Sequence, residues 1–228
     1  MSGNNSVRPP IAIDGPAGSG KSSVGNAFAS RIGYRFLDTG LMYRAATWHA
    51  VQNEVDLNDG DAVSAAAEQM EFSVVDGVGG YNLILINGED VTQYLHSTQV
   101  DDAVSTVSAV GRVREIMVAE QRRMAVEGEI VMVGRDIGTV VIPDAPLKIY
   151  LTASAQIRAN RRHREFLAEG TEVRLADILS SIEQRDLVDS SRADSPLRPA
   201  DDARVVDTDT MSLGDVVDHL VELAAEVI

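Results

Sequence analysis

The stretch Ile11-Ala-Ile-Asp-Gly-Pro-Ala-Gly-Ser-Gly-Lys-Ser-Ser-Val24 joins a short apolar strand to G-x-x-x-x-G-K-S and then to a helix-like run. In that setting the pattern reads as a phosphate-binding loop. Gly15, Gly18 and Gly20 let the backbone take conformations barred to residues with a Cβ, so that successive N–H groups can turn inward around an anion. The helix that opens near Lys21 adds its positive N-terminal end. Lys21 can bridge the β- and γ-phosphates of a nucleoside triphosphate, and the Ser22 hydroxyl is placed to ligate Mg²⁺. The residues expected around the triphosphate are therefore Gly15, Pro16, Ala17, Gly18, Ser19, Gly20, Lys21, Ser22 and Ser23. The bland alternative is a Gly-rich βα turn with no ligand, and the strand before and helix after the loop count against it.

Working outward, 228 residues with 44% hydrophobic content suffice for one α/β domain carrying an insertion. The chain has no cysteine, which excludes disulfides and thiolate chemistry. His49, His96, His163 and His219 show no paired-ligand spacing and read as ordinary helix or surface residues, so a metal is expected on oxygen ligands. The polar segment 1–10 lacks the apolar stretch of a signal peptide, and no run of about 18 apolar residues follows, so a cytoplasmic location off the membrane is expected. A net charge of −15 argues against broad binding to nucleic acid or anionic membranes. An anionic ligand must then be small and locally caged.

The spacing predicts a βαβ opening: strand 11–14, helix 22–31, strand 35–37. Helices are expected over 41–52 and 61–69, with Trp48 as a core anchor. The texture changes at 71–75 and 81–86, two strands flanking Asp76-Gly-Val-Gly-Gly80 with a further turn at Asn87-Gly88. This small antiparallel insert is either a substrate-side subdomain or a plain hairpin, and the residues leave both open. Helices follow at 99–109 and 112–126. The runs 129–133 and 147–151 are nearly continuous apolar strands of the buried parallel kind. Helices at 154–168 and 173–187, a strand at 204–207 and a helix at 213–228 complete an α/β chain with about five parallel core strands.

Five groups stand out beyond the loop. Thr39, Tyr43 and Arg44 leave the second strand and enter a helix, and Arg135 and Asp136 emerge after strand 130–133; ligands gather at such carboxyl ends. Ser105 and Arg114 lie on the helices before that strand. Arg158, Arg161 and Arg162 crowd one helix, where like charges repel unless a polyanion draws them together. Arg185, Asp189 and Arg192 fall at i, i+4 and i+7, on one face if the helix extends that far. Plain surface ion pairs or solvated basic faces are the alternatives for these groups.

Together these groups resemble the bacterial cytidylate (CMP/dCMP) kinases, within the nucleoside monophosphate kinase family. The resemblance rests on D-G-P-A-G-S-G-K-S at 14–22, L-D-T-G-L-M-Y-R at 37–44, G-R-D-I-G-T-V-V-I-P-D-A at 134–145, R-x-x-R-R at 158–162 and R-D-x-x-D-x-x-R at 185–192. It implies a P-loop NTPase fold, with core 9–38, 98–153 and 172–228, a monophosphate-binding region with the β insert at 39–97, and a helical lid at about 154–171. It implies Mg²⁺-ATP as donor and CMP or dCMP as acceptor, in a protein usually monomeric. In the family, the residues matching Arg44, Arg135 and Arg192 hold the acceptor phosphate. Those matching Ser105, Arg114 and Asp136 read cytosine, and those matching Asp189 and Arg185 serve the sugar. Arg158, Arg161 and Arg162 match the mobile lid over ATP and, with Lys21, are expected to be catalytic. Position 39 is Thr where some members have Ser, and the hydroxyl is kept.

A switch-type GTPase would need an N-K-x-D guanine reader, and Lys21 and Lys148, the only lysines, supply none. A non-catalytic nucleotide-binding module would not need a second anion site. Another small-molecule kinase, of the UMP/CMP or shikimate type, is the nearest enzymatic rival.

Overall fold

Short apolar strands that bury both faces need helices on both sides, and this chain supplies them in order. The structure, a computed structural model, describes residues 7–168, 170–192 and 194–227. Residues 1–6 of the polar N-terminal segment and the expected helix end at Ile228 lie outside these. Strand β1 (Ile11–Asp14) leads through the loop into α1 (Lys21–Ile32), then β2 (Arg35–Asp38) and α2 (Thr39–Gln52). Next come α3 (Gly60–Gln69), the insert strands β3 (Phe72–Asp76), β4 (Asn82–Ile86) and β5 (Glu89–Asp90), α4 (Thr98–Val107) and α5 (Gly111–Ala125). The chain returns to the sheet with β6 (Ile130–Gly134) and β7 (Leu147–Thr152), and closes with α6 (Ala155–Ala168), α7 (Leu175–Ser191), β8 (Arg204–Asp207) and α8 (Leu213–Ala225). None of the described helices is long and apolar enough to cross a membrane.

The main sheet is parallel, in the order β2-β6-β1-β7-β8, as the five apolar runs suggest. β1 sits centrally, with Ile13 opposite Val133 on one side and Ile149 on the other. The period of two sorts its side chains. Ile11 and Ile13 pack with Phe28 of α1 and Leu220 of α8, while Ala12 joins Met42 of α2 and Met117 of α5 on the opposite face. Each buried Leu, Ile, Met or Phe in these layers contributes about 1.5–3 kcal/mol of transfer free energy. Trp48 is half-buried against the second layer and stacks on Tyr94 at 6.0 Å.

The packing also bears on the expected divisions. Residues of α2 and of the insert, among them Tyr43, Ile84 and Ile86, share one core with Leu37 and Met132 of the sheet. By contrast α6 and the first half of α7 form a cluster of their own around Ala159, Ile178 and Ile182. That packing unit runs past residue 171, to Ile182 at least. The insert carries a third strand, β5, reached through the Asn87-Gly88 turn, whose two residues both take positive φ. The sequence pattern gave no sign of the single π-helical turn at Ile137–Val141.

Candidate active site

Asp14, Asp38 and Gly134 end their strands on one rim, and the loops that leave there form a cleft of about 210 Å³. At one end is the glycine loop. Gly15 has φ +153°, and a Cβ there would lie 2.0 Å from the Leu151 carbonyl oxygen, so only glycine lets the loop pass β7 this closely. Gly20, with φ +89°, caps α1. Ala17, Gly18, Lys21 and Ser22 line the cleft, while Gly15, Pro16, Ser19, Gly20 and Ser23 shape the loop behind them. Lys21 is buried, and its Nζ donates to the Pro16 carbonyl at 2.6 Å. Burial pushes the ammonium well below its ordinary pKa, and nearby Arg135 pushes the same way. The negative charge of a polyphosphate beside it would offset both effects.

The other end is lined with arginines. Arg44 of α2 donates to the Leu95 carbonyl at 2.7 Å and pairs with Asp101 at 2.6 Å. Arg114 of α5 and Asp136 form a buried ion pair, and the Arg114 guanidinium lies 5.2 Å from the centre of the Tyr43 ring. Burial pushes the Tyr43 phenol up to about 12, so it stays a neutral donor. Arg135 donates to Asp189 at 3.0 Å, and Arg192 pairs with the other oxygen of the same carboxylate. Burial works to raise the Asp189 carboxyl, but Arg135 and Arg192 outweigh it and hold it below the ordinary range. Arg185 is pushed down to about 10 by burial and by Arg135. Helix α7 runs to Ser191, further than expected, so Arg185, Asp189 and Arg192 all reach the cleft.

Six cations face three carboxylates in this lining, in a chain whose net charge is −15. The Nε atoms of Arg114, Arg185 and Arg192 and the Tyr43 hydroxyl are buried with no hydrogen-bond partner among the described residues. Buried polar atoms without partners are rare, and a cluster of them around one cleft marks a polyanion site. Thr39 also lines the cleft, but its hydroxyl is committed to the Val133 carbonyl at 2.8 Å and fastens α2 to the end of β6.

The sequence of this chain matches the profile of the family described as cytidylate kinase over residues 11–226. The chain belongs to the cytidylate kinase family. It is 50% identical to a cytidylate kinase of Rhodococcus opacus (strain B4) over 217 residues, 95% of this chain and 94% of that one. A bifunctional pantoate ligase/cytidylate kinase of Prochlorococcus marinus (strain MIT 9303) is 47% identical over 96% of this chain and 45% of its own. An uncharacterized protein from Eubacterium ventriosum superposes with a TM-score of 0.51 at 13% identity, over 96% of this chain and 99% of that one, which is a likeness of fold. The chain is accordingly a kinase with the P-loop fold.

Within this cytidylate kinase family member, four of the expected residues beyond the glycine loop stand outside the cleft lining. Ser105 is half-buried on α4 and accepts, through its carbonyl, the Ser108 hydroxyl at 3.3 Å. Ser108 takes the place beside the guanidiniums: its carbonyl accepts from Arg114 and its hydroxyl from Arg192, both at 3.3 Å. Arg158 is buried, donates to the Ala17 carbonyl at 2.9 Å and pairs with Asp186. Arg161 donates to the Thr208 carbonyl at 2.7 Å, and Arg162 pairs with Glu165 at 3.1 Å. Arg158 and Arg161 thus hold α6 to the loop and to the β8–α8 connection, while the Arg162 pair lies within α6.

Sequence reasoning missed Asp14, Asp38, His96 and Ser108. Asp14 is buried and accepts the N–H groups of Ile137 and Gly138, both at 2.7 Å, which ties the turn after Arg135 and Asp136 to β1. Burial raises its carboxyl to about 6, against the two N–H donors. Asp38 accepts from Gly40 N–H at 2.9 Å and from the Ser22 hydroxyl. His96, read as an ordinary residue, lines the cleft, and burial and Arg44 push its imidazole down. The D-G-P and L-D-T-G motifs contained the only available signals for Asp14 and Asp38: each carboxylate ends a strand.

Proposed function

We propose that the chain transfers the terminal phosphoryl group of ATP to CMP and dCMP, giving CDP or dCDP and ADP. The observation that carries this reading is one cleft lined by the phosphate loop at one end and by Arg44, Arg114, Arg135, Arg185 and Arg192 at the other. Two polyanions brought end to end need charge neutralisation and in-line alignment more than they need a strong base. The acceptor phosphate rests on Arg44, Arg135 and Arg192, and one of its oxygens attacks the γ-phosphorus as ADP departs. Lys21 stabilises the transferring group. Arg158, Arg161 and Arg162 join it when α6 and α7 close as a unit on their own small core.

Ser22 and Asp38 offer adjacent hard oxygen donors, and no group of three His, Cys, Asp or Glu among the described residues forms a metal cage. That donor set suits Mg²⁺, which keeps its waters and arrives on phosphates. Held by the Ser22 hydroxyl with Asp38 beside it, the ion would supply positive charge against the negative charge that develops in phosphoryl transfer.

Base choice follows from the buried Arg114–Asp136 pair. Asp136 accepts from the cytosine N4 amino group, and the acceptors N3 and O2 suit Arg114 and the Ser105 hydroxyl, the residue that the resemblance adds to the cytosine readers. Uracil reverses the polarity at N3 and position 4 and leaves buried groups unpaired, at about 1–3 kcal/mol each. Asp189 and Arg185 serve the sugar. ADP release measured with Mg²⁺-ATP and CMP, dCMP, UMP, AMP, GMP or shikimate tests the reading. Turnover confined to CMP and dCMP is expected, and turnover with shikimate or with none of the panel would overturn it.

A further inference from the structure

The main sheet ends at β2, and an edge strand leaves a row of N–H and C=O groups without a ladder partner. On β2 two of these groups, the Phe36 carbonyl and the Asp38 N–H, face the insert. Asn82, the first residue of β4, is 4% exposed and meets both. Its Nδ2 donates to the Phe36 carbonyl at 2.8 Å and its Oδ1 accepts the Asp38 N–H at 2.8 Å. One primary amide thus stands where the main chain of a sixth strand would. Buried backbone groups demand partners, so apolar residues of similar size cannot replace it.

The residue so held is not an arbitrary one. The Asp38 carboxylate caps α2 through Gly40 N–H and accepts the Ser22 hydroxyl, so its main-chain setting fixes two features of the cleft at once. Asn82 itself does not line the cleft, and neither does any other residue from 71 to 95. The strands of the insert, 72–90, therefore reach the site through the β2 edge, while the Leu95 carbonyl beyond them accepts from Arg44. A second polar tie holds its turn: Asn26 of α1 donates to the Gly79 carbonyl at 2.9 Å, without touching Asp38.

We propose that Asn82 is a positioning residue for the magnesium side of the ATP site: by completing the β2 edge it sets Asp38, and through Asp38 the Ser22 hydroxyl. This rests on the kinase reading above. Groups that orient a metal's ligands typically change affinity tenfold or more when removed.

Binding of a fluorescent ATP analogue, titrated with Mg²⁺ and again in EDTA, tests it on Asn82→Leu and Asn26→Ala. Asn82→Leu should weaken binding about tenfold with Mg²⁺ and by less than about twofold in EDTA, with Asn26→Ala within about twofold of the parent in both. Asn82→Ser, a smaller change, should shift the same way. An Asn82→Leu protein that binds like the parent, an equal loss in EDTA, or an equal loss in Asn26→Ala would overturn the proposal. So would failure of both Asn82 variants to fold while Asn26→Ala folds, because the amide would then be purely structural. The titration uses no acceptor, so absence of CMP turnover in the parent would count against the functional reading alone.

Discussion

The two ends of the cleft are built by opposite means. The donor end is one continuous loop, 15–23, whose anion donors are main-chain N–H groups set by glycine conformations. The acceptor end is assembled from side chains that α2, α5, the turn after β6 and α7 bring in from distant parts of the chain. Main-chain donors grip any phosphate alike, so the loop confers chemistry without choice. Side-chain pairs such as Arg114–Asp136 present a fixed pattern of donors and acceptors, so choice of substrate lives there. Burial reinforces the division, since such a pair broken by removal of one partner costs about 3–5 kcal/mol.

The sharpest break between the two ends comes from Lys21→Ala. It should lower kcat on the order of 10³-fold, by analogy with other charged groups on a transferring phosphoryl, and leave CMP affinity near that of the parent. Steady-state kinetics paired with a CMP binding titration checks this. Loss of CMP affinity to the same degree would mean the ends are not separable. Arg192→Ala is the mirror experiment. Loss of one charge-assisted contact, worth about 1.5–3 kcal/mol, should raise KM for CMP about 10- to 100-fold, with KM for Mg²⁺-ATP unchanged. A matching rise for ATP would put Arg192 on the wrong side of the comparison.

Asp14 joins the two ends, and its effect is on stability. Burial pushes its carboxyl up to about 6, above the ordinary value of 3.8. The group therefore favours the folded state fully below pH 3.8, and that contribution is lost as pH rises through 6. The difference amounts to about 3 kcal/mol at one pKa unit per 1.36 kcal/mol. Urea unfolding of the parent and of Asp14→Asn at pH values from below 4 to above 6 should show the variant gaining by about that much as pH rises. A pH-independent gap would show that Asp14 titrates normally.

The same contrast explains what could be read from the sequence. The donor loop, the five core strands and most helices were legible because each rests on a local pattern of spacing or apolar run. The arginines of the acceptor end were legible as a set, through motifs at strand and helix ends. Their partners were not: Arg135 meets Asp189 across 54 positions and Asp14 holds Gly138 across 124, distances at which no spacing rule operates. Ser108, the residue that ends α4, stands beside the guanidiniums while Ser105 lies off the cleft, and since the two are three apart and share a helix face, no spacing rule tells them apart. The crowding of Arg158, Arg161 and Arg162 suggested a polyanion, whereas Asp186, Thr208 and Glu165 satisfy them in this structure. Asn82 offered no sequence signal, since its role depends on β2 being an edge.

The central claim is that the acceptor end alone chooses the substrate, and the kcat/KM ratio of CMP over UMP, measured for the parent and for Asp136→Asn, tests it most directly. The parent should favour CMP strongly, and the variant should lose about 10- to 100-fold of that preference, the 1–3 kcal/mol of a mispaired buried group, with KM for Mg²⁺-ATP unmoved. An unchanged CMP preference in Asp136→Asn would contradict the account.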